Sequence, residues 1–336
     1  MLNSQIPPNV SAKALVEALY FGILGREADP SGLQTFTPLA ALGTDGIARL
    51  AQLLVHSEEF SELFAKERSI GRPWVTVEHH GTKLVIPEGS ELLAELRSPQ
   101  GYEPWVLPYF LDLLRPGMSV VDFGASLGTF TIPAARRVGP SGKVYAVEVA
   151  PGNCFALQRS VQTNALRNVF LLPFAATDKL GFATISAVLA THNFSLHRNS
   201  SDTELPEVSL IVPTLPLDRV RQDLGNIDVM KLDIEGAEHL AVSGAWQIIS
   251  ESRPVIFLEY SPSLLKNVSG IEPTLLLDRI LGCEYQVEIL HRDRSRESLG
   301  SLSKDSAVAR IDTECKQRMV DGGTHLDLCF SARQRS

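Results

Sequence analysis

The sequence predicts an α/β protein, a doubly wound and mostly parallel sheet preceded by a small all-helical module. Three observations carry this. Apolar strand-like runs, glycine turns and helical stretches alternate from residue 119 to residue 259 with the spacing of βαβ units. The first 70 residues instead repeat their apolar groups at helical intervals. The 336 residues are 44% hydrophobic and 21% charged, a globular composition long enough for two domains of roughly 150 residues.

The elements follow in order. Leu15, Leu19 and Ile23 step by four, as do Val16, Tyr20 and Leu24, and Ile47, Leu50, Ala51 and Leu54 repeat in the same helical register. Asp29-Pro30-Ser31-Gly32 between them reads as a turn. Ser57, with Glu58 and Glu59, supplies a cap and two carboxylates for a helix start. This module spans residues 1–70, and the second domain spans 71–336 with a core at about 100–262. Short β runs at Trp74–Glu78 and Lys83–Ile86 precede a helical stretch from Glu103 to Leu114. The alternation proper then comprises Ser119–Phe123, Gly128–Arg137, Lys143–Val149, Cys154–Asn164 and Val169–Leu172. After a polar interruption flanked by Phe182–Ala187 and Val208–Val212, it resumes with Ile227–Leu232, Ala237–Ile249 and Val255–Glu259. Residues 291–306 read as a charged surface loop before a last strand at Leu326–Phe330.

Several classes are excluded early. No run approaches the ~18 apolar residues of a membrane span. MLNSQIPPNV shows no basic segment before an apolar core, so the expectation is a cytoplasmic protein. Cys154, Cys283, Cys315 and Cys329 form no CxxC pair, which argues for a reducing compartment. A net charge of −8 without a basic run is a poor match to phosphate backbones, so no nucleic-acid partner is expected.

The chemistry concentrates in two places. In Val120-Val121-Asp122-Phe123-Gly124-Ala125-Ser126-Leu127-Gly128-Thr129 a strand ends in Asp, and two glycines lead into a helix whose N-terminus offers free N–H groups. Glu148, at the end of the next strand, is placed to accept two ribose hydroxyls. The turn lacks the central glycine of a pyrophosphate-binding GxGxxG, and Asp122 suits a cationic amino group, so S-adenosylmethionine fits it better than NAD. The second place is Lys231-Leu232-Asp233-Ile234-Glu235-Gly236-Ala237-Glu238-His239. There Asp233 ends a strand beside the first one, at the edge where open α/β sheets bind ligands. Asp233 and Glu235 are the leading candidates for a general base, with His192 of the 191–195 loop and His239 behind them. Glu238 and Glu259 complete an acid cluster; alternatively Asp233 caps the following helix while Glu235 and Glu238 stabilise its positive end. By analogy with catechol-type O-methyltransferases, a divalent cation would go to Asp233 and Glu259.

These motifs resemble the FkbM family of S-adenosylmethionine-dependent methyltransferases over about residues 75–290. The resemblance runs through Tyr102-Glu103-Pro104, Pro116-Gly117, the Asp122 turn, Thr214-Leu215-Pro216-Leu217-Asp218, the Asp233 cluster and Phe257-Leu258-Glu259. It implies a Rossmann-like class I methyltransferase fold and transfer to hydroxyl oxygens of sugars or natural products. Carried over, it puts Asp122, Gly124, Ala125, Ser126 and Gly128 around the methionine portion. Glu148 holds the ribose, Val149 and Asp178 lie near the adenine, and Tyr102 and Glu103 close over the cofactor. Ser126 stands where the family usually has Asn, and Val149 where it usually has Pro. The segment LYFGILGREADPSGL…LLVHSEEF resembles a small helical domain of unknown function that accompanies carbohydrate-modifying or methyltransferase domains. It implies association with itself or with a protein partner. The expected function is O-methylation of a sugar, glycan or glycosylated natural product. A non-catalytic adapter and an NAD-dependent sugar enzyme are the alternatives.

Overall fold

The computed structural model describes residues 73–187, 194–197, 209–320 and 324–333, preceded by 27–42 and short stretches between 11 and 59. Its centre is an eight-stranded sheet. The strands are β3 (Ser119–Phe123), β4 (Lys143–Val147), β5 (Val169–Leu172), β10 (Val229–Leu232), β11 (Val255–Tyr260), β12 (Tyr285–Leu290), β13 (Arg296–Ser298) and β14 (Leu326–Ala332). Their spatial order is β13-β12-β14-β11-β10-β3-β4-β5. The five from β11 to β5 pair in parallel, while β14 runs antiparallel between β11 and β12. A smaller sheet holds β6 (Ala175–Ala176), β7 (Gly181–Ala187), β8 (Phe194–His197) and β9 (Ser209–Leu215).

The chain runs outward from β3 through β4 to β5, then returns to lay β10 on the other side of β3. The register Val229↔Val120 through Leu232↔Phe123 makes the loops after β3 and β10 leave the sheet side by side. This reversal is the place where a doubly wound sheet opens a crevice. Helices cover the sheet because its central strands are apolar on both faces: Val120, Val121, Phe123 and all of β10 are buried. On one face Phe110 stacks edge-on against Phe130 and Phe257, with centroids 5.2 and 5.3 Å away. Each such ring contributes about 1.5–3 kcal/mol by leaving water.

The hairpin β1 (Trp74–His79) and β2 (Thr82–Pro87) lies against the helix Pro151–Thr163. Val85 N–H donates to Ser160 Oγ, and Asn164 brackets Lys83 by accepting from its N–H and donating to its carbonyl. Side chains of a helix thus satisfy a strand edge that has no further strand. The described N-terminal helical residues Val16, Leu19, Tyr20, Ala40, Leu50 and Leu54 share one apolar cluster with Leu84, Ile86, Leu93 and Leu127.

Four expectations change. Asp29-Pro30-Ser31-Gly32 starts the helix Pro30–Ala40, with Asp29 Oδ1 accepting the Gly32 N–H at 2.9 Å and Pro30 in the first turn. Gly32 is small because Tyr20 packs on it, a Cβ there falling 2.3 Å from the phenol oxygen. The stretch from Glu103 turns helical only at Leu107, since Glu103 takes φ 41°. The stretch 237–249 is two helices, Glu238–Gly244 and Trp246–Ser252. Asp218 caps the second from outside by accepting the N–H groups of Gln247 and Ile248. Finally, the core does not end near 262, because β14 completes the sheet, and residues 291–306 include β13 and the start of the helix Lys304–Val320. Among the described residues no helix is long and apolar enough to cross a membrane.

Candidate active site

The loop after β3 is shaped by its neighbours. Gly124 has φ 79°, and a Cβ built on it would lie 1.9 Å from the Asp233 carbonyl oxygen. The glycine therefore lets the β10 loop close against the β3 loop. Gly124→Ala forces both a left-handed alanine and a displaced Asp233 backbone. The expected result is a loss of at least about 3 kcal/mol in urea unfolding; a variant within about 1 kcal/mol of the parent would contradict this close approach.

Ser126 takes φ 47°, and its N–H donates to Glu148 Oε2 at 2.8 Å, while Ala150 N–H donates to Oε1 at 2.7 Å. Glu148 is buried, and burial raises its pKa against the pull of those donors. The Asn153 side chain and the Val149 N–H also hydrogen-bond this carboxylate. Beside it opens a cleft with about 810 Å³ of space, part of it open to solvent. Gly124, Ser126, Glu148 and Asn153 form its polar side, and Val149, Phe174, Ala176 and Ile185 its apolar side. A cleft with an apolar side and a few placed polar groups suits a small-molecule ligand.

Across the cleft stands β10. The buried Lys231 ammonium donates to Asp233 Oδ2 at 2.8 Å, lies 3.9 Å from Asp122 Oδ1 and covers the face of Phe130 at 4.7 Å. Asp122 Oδ2 accepts the Thr131 hydroxyl at 2.6 Å. Behind this wall a second, smaller compartment is lined by Glu103, Asp233, Glu259 and Asp327. Lys231 and Asp233 are the two residues common to both linings.

Residues 122–286 match the family model of the methyltransferase FkbM domain. The chain carries an FkbM methyltransferase domain. It is 49% identical over 70 residues to a ribosomal RNA large subunit methyltransferase E of Sorangium cellulosum, a match covering 20% of this chain and 33% of that protein. It is 31% identical over 88 residues to the aklanonic acid methyltransferase DauC of a Streptomyces species, covering 26% and 40%. The chain thus spans about a third and two fifths of these relatives' lengths. A crystal structure of methyltransferase FkbM from Methylobacillus flagellatus aligns with 15% identity and a TM-score of 0.41, covering 96% of this chain and 63% of that one.

In and beside the FkbM domain the expected residues separate into groups. Tyr102, Gly124, Ser126, Glu148, Val149, Asp233 and Glu235 line the larger cleft, and Glu103 and Glu259 the smaller compartment. Asp122 lies behind the cleft, 1% exposed and engaged by Thr131 and Lys231, so its place is not beside a ligand's amino group. Ala125 and Gly128 pack inward, and Asp178 is exposed and lines neither cavity. Glu238 turns back on its own loop, its Oε1 accepting the N–H groups of Ile234 and Gly236, and so does not face the mouth. Burial lifts its pKa to about 7. His192 lies outside the described residues. His239 Nδ1 is buried without a hydrogen-bond partner, and the residue lines neither cavity.

Asp233 and Glu259 both line the smaller compartment. Burial, then the charges of Asp233, Asp327, Glu103 and Glu235, hold the Glu259 carboxyl well above its ordinary range. Burial and Asp233 likewise raise Glu103, which Lys231 opposes. Glu259, His325 and Asp327 bring ligand atoms within 4.8 Å of one another, and Asp327 also accepts the Trp105 indole N–H at 2.7 Å. His325 and Asp327 escaped sequence reading because they come from the start of the last strand and the residue before it, nearly 70 residues beyond Glu259. Lys231 had a signal, two positions before Asp233 on the same strand face. His79 had none: its Nε2 meets the Thr129 carbonyl at 3.0 Å, and burial lowers its pKa to about 4.

Proposed function

We propose that the protein is an S-adenosylmethionine-dependent O-methyltransferase acting on a hydroxyl of a sugar, glycan or glycosylated natural product. The observation that carries this reading is the wall formed by Lys231 and Asp233 between two unlike compartments. In the larger, Glu148 would hold the ribose hydroxyls, with Phe174, Ala176, Ile185 and Val149 flanking the adenine. Tyr102 and Ser126 would border the methionine portion. When bound, the cofactor supplies an electrophilic methyl group. Glu103, Glu259 and Asp327, which line the smaller compartment, would border the reacting hydroxyl beside Asp233. The net charge of −8 opposes a phosphate backbone, which supports a neutral hydroxylated acceptor over a nucleic acid. Asp233, at the boundary, orients the reacting hydroxyl and takes its proton. A cation would be held by Glu259, His325 and Asp327.

The helical residues before the hairpin serve association or positioning in this proposal, supported by the apolar cluster they share with β2. A cytoplasmic location is supported by four unpaired cysteines.

Calorimetric titration of the full chain with S-adenosylmethionine and with its demethylated product is expected to show binding of both. Labelled methyl groups should then pass to members of a panel of free sugars and methyl glycosides. Folded protein that binds neither would favour the adapter instead.

A further inference from the structure

We infer that Lys231 is a positioning residue for methyl transfer, fixing the Asp233 carboxylate at the wall between the two compartments. This rests on reading Asp233 as the base.

Lys231 and Asp233 are two residues apart and share a face, and the register sets Lys231 directly across from Asp122 on β3. The Lys231 side chain is only 7% exposed, so its charge requires compensation. It receives this from Asp233 at 2.8 Å, Asp122 at 3.9 Å and the Phe130 ring. Thr131 in turn fixes Asp122, whose Oδ1 has no hydrogen-bond partner and faces the ammonium alone. The result is a buried line, Thr131–Asp122–Lys231–Asp233, with its last member opening onto both cavities.

The Asp233 backbone is already immobile. Its N–H donates to the Phe123 carbonyl, and its own carbonyl fills the space beside Gly124. Only the side-chain torsions remain, and the Lys231 contact sets them, committing Oδ2 and leaving Oδ1 for an acceptor hydroxyl.

The surrounding charge makes this contact consequential. Asp122 from β3, Glu103 from the segment before the Leu107 helix, Glu259 from β11, Asp327 from β14 and Glu235 from the same loop all repel the Asp233 charge. His325 stands beyond Glu259, at 3.6 Å from it. Lys231 is the ammonium in direct contact. Removing it leaves the Asp233 carboxylate without its buried partner and with no contact that fixes its rotamer. A purely apolar contact at this place would serve the fold as well, because buried ion pairs seldom stabilise more than their apolar replacements.

The test measures the Asp233 χ1 angle by three-bond NMR couplings in full-length, isotope-labelled protein, with the Asp233 signals assigned from Asp233→Asn. The parent is expected to hold one staggered rotamer, Lys231→Met to average over more than one, and Lys231→Arg to keep the parent's rotamer. The double variant Asp122→Asn/Lys231→Met removes the stranded Asp122 charge and should show the same averaging if Lys231→Met alone does not fold. Methyl transfer to the sugar panel should fall about tenfold or more in Lys231→Met and be largely restored in Lys231→Arg. A single unchanged Asp233 rotamer in both Met variants overturns the inference. Loss of cofactor binding by the parent would sink the methyltransferase reading instead, and the couplings read the Lys231–Asp233 contact in either case.

Discussion

Glu148→Ala is expected to weaken S-adenosylmethionine binding roughly a hundredfold or more. Two effects add. The first is the loss of hydrogen bonds from the ribose to a charged acceptor, at about 1.5–3 kcal/mol each. The second is local. Ser126 and Ala150 both donate their N–H groups to this carboxylate, and Ser126 sits at a positive φ that the contact helps to hold. Without the acceptor the β3 turn has no reason to keep that conformation, and the cleft's floor moves with it. Glu148→Gln retains the shape and one acceptor oxygen, so its affinity should fall between the two. Calorimetry decides the matter, and an alanine variant that binds within threefold of the parent would remove Glu148 from the ligand site.

Asp233→Asn is expected to cut methyl transfer by about 10²–10⁴-fold while leaving cofactor affinity nearly unchanged. Asparagine keeps an oxygen for Lys231 and the same volume against Gly124, so the wall keeps its form; what disappears is the capacity to take a proton. Single-turnover transfer to whichever sugar acceptor the parent accepts gives the rate, and calorimetry gives the affinity. A rate within threefold of the parent would pass the base role to Glu235, whose carboxyl is raised by burial and by the Asp233 charge. A parallel fall in affinity would mean that Asp233 holds the ligand rather than the proton.

Much of the frame was legible because it is written in short-range patterns. Ser119–Phe123 and Val169–Leu172 appear with the limits expected of them, since each is a brief apolar run bounded by turn residues. Boundaries failed where a signal has two meanings. Asp29-Pro30 opens either a turn or a helix, and the choice went to the helix Pro30–Ala40, with Gly32 beneath Tyr20. The break at Ala245 was invisible because the cap that starts the next helix is Asp218, almost 30 residues away.

The site divides in the same way. The sequence by itself determined the two loops, the glycine between them and the carboxylates Glu148 and Asp233, because each follows directly from a strand end that the apolar pattern locates. It did not determine what each carboxylate does. Asp122, Asp233 and Glu238 look alike along the chain. Only the tertiary structure sends Asp122 behind the cleft to Lys231 and Thr131, turns Glu238 onto its own loop, and leaves Asp233 on the wall. The physical reason is that a carboxylate's role depends on the donors and charges within a few ångströms. Those arrive from segments distant in sequence, as Asp327 does from β14 and His325 from the residue just before that strand.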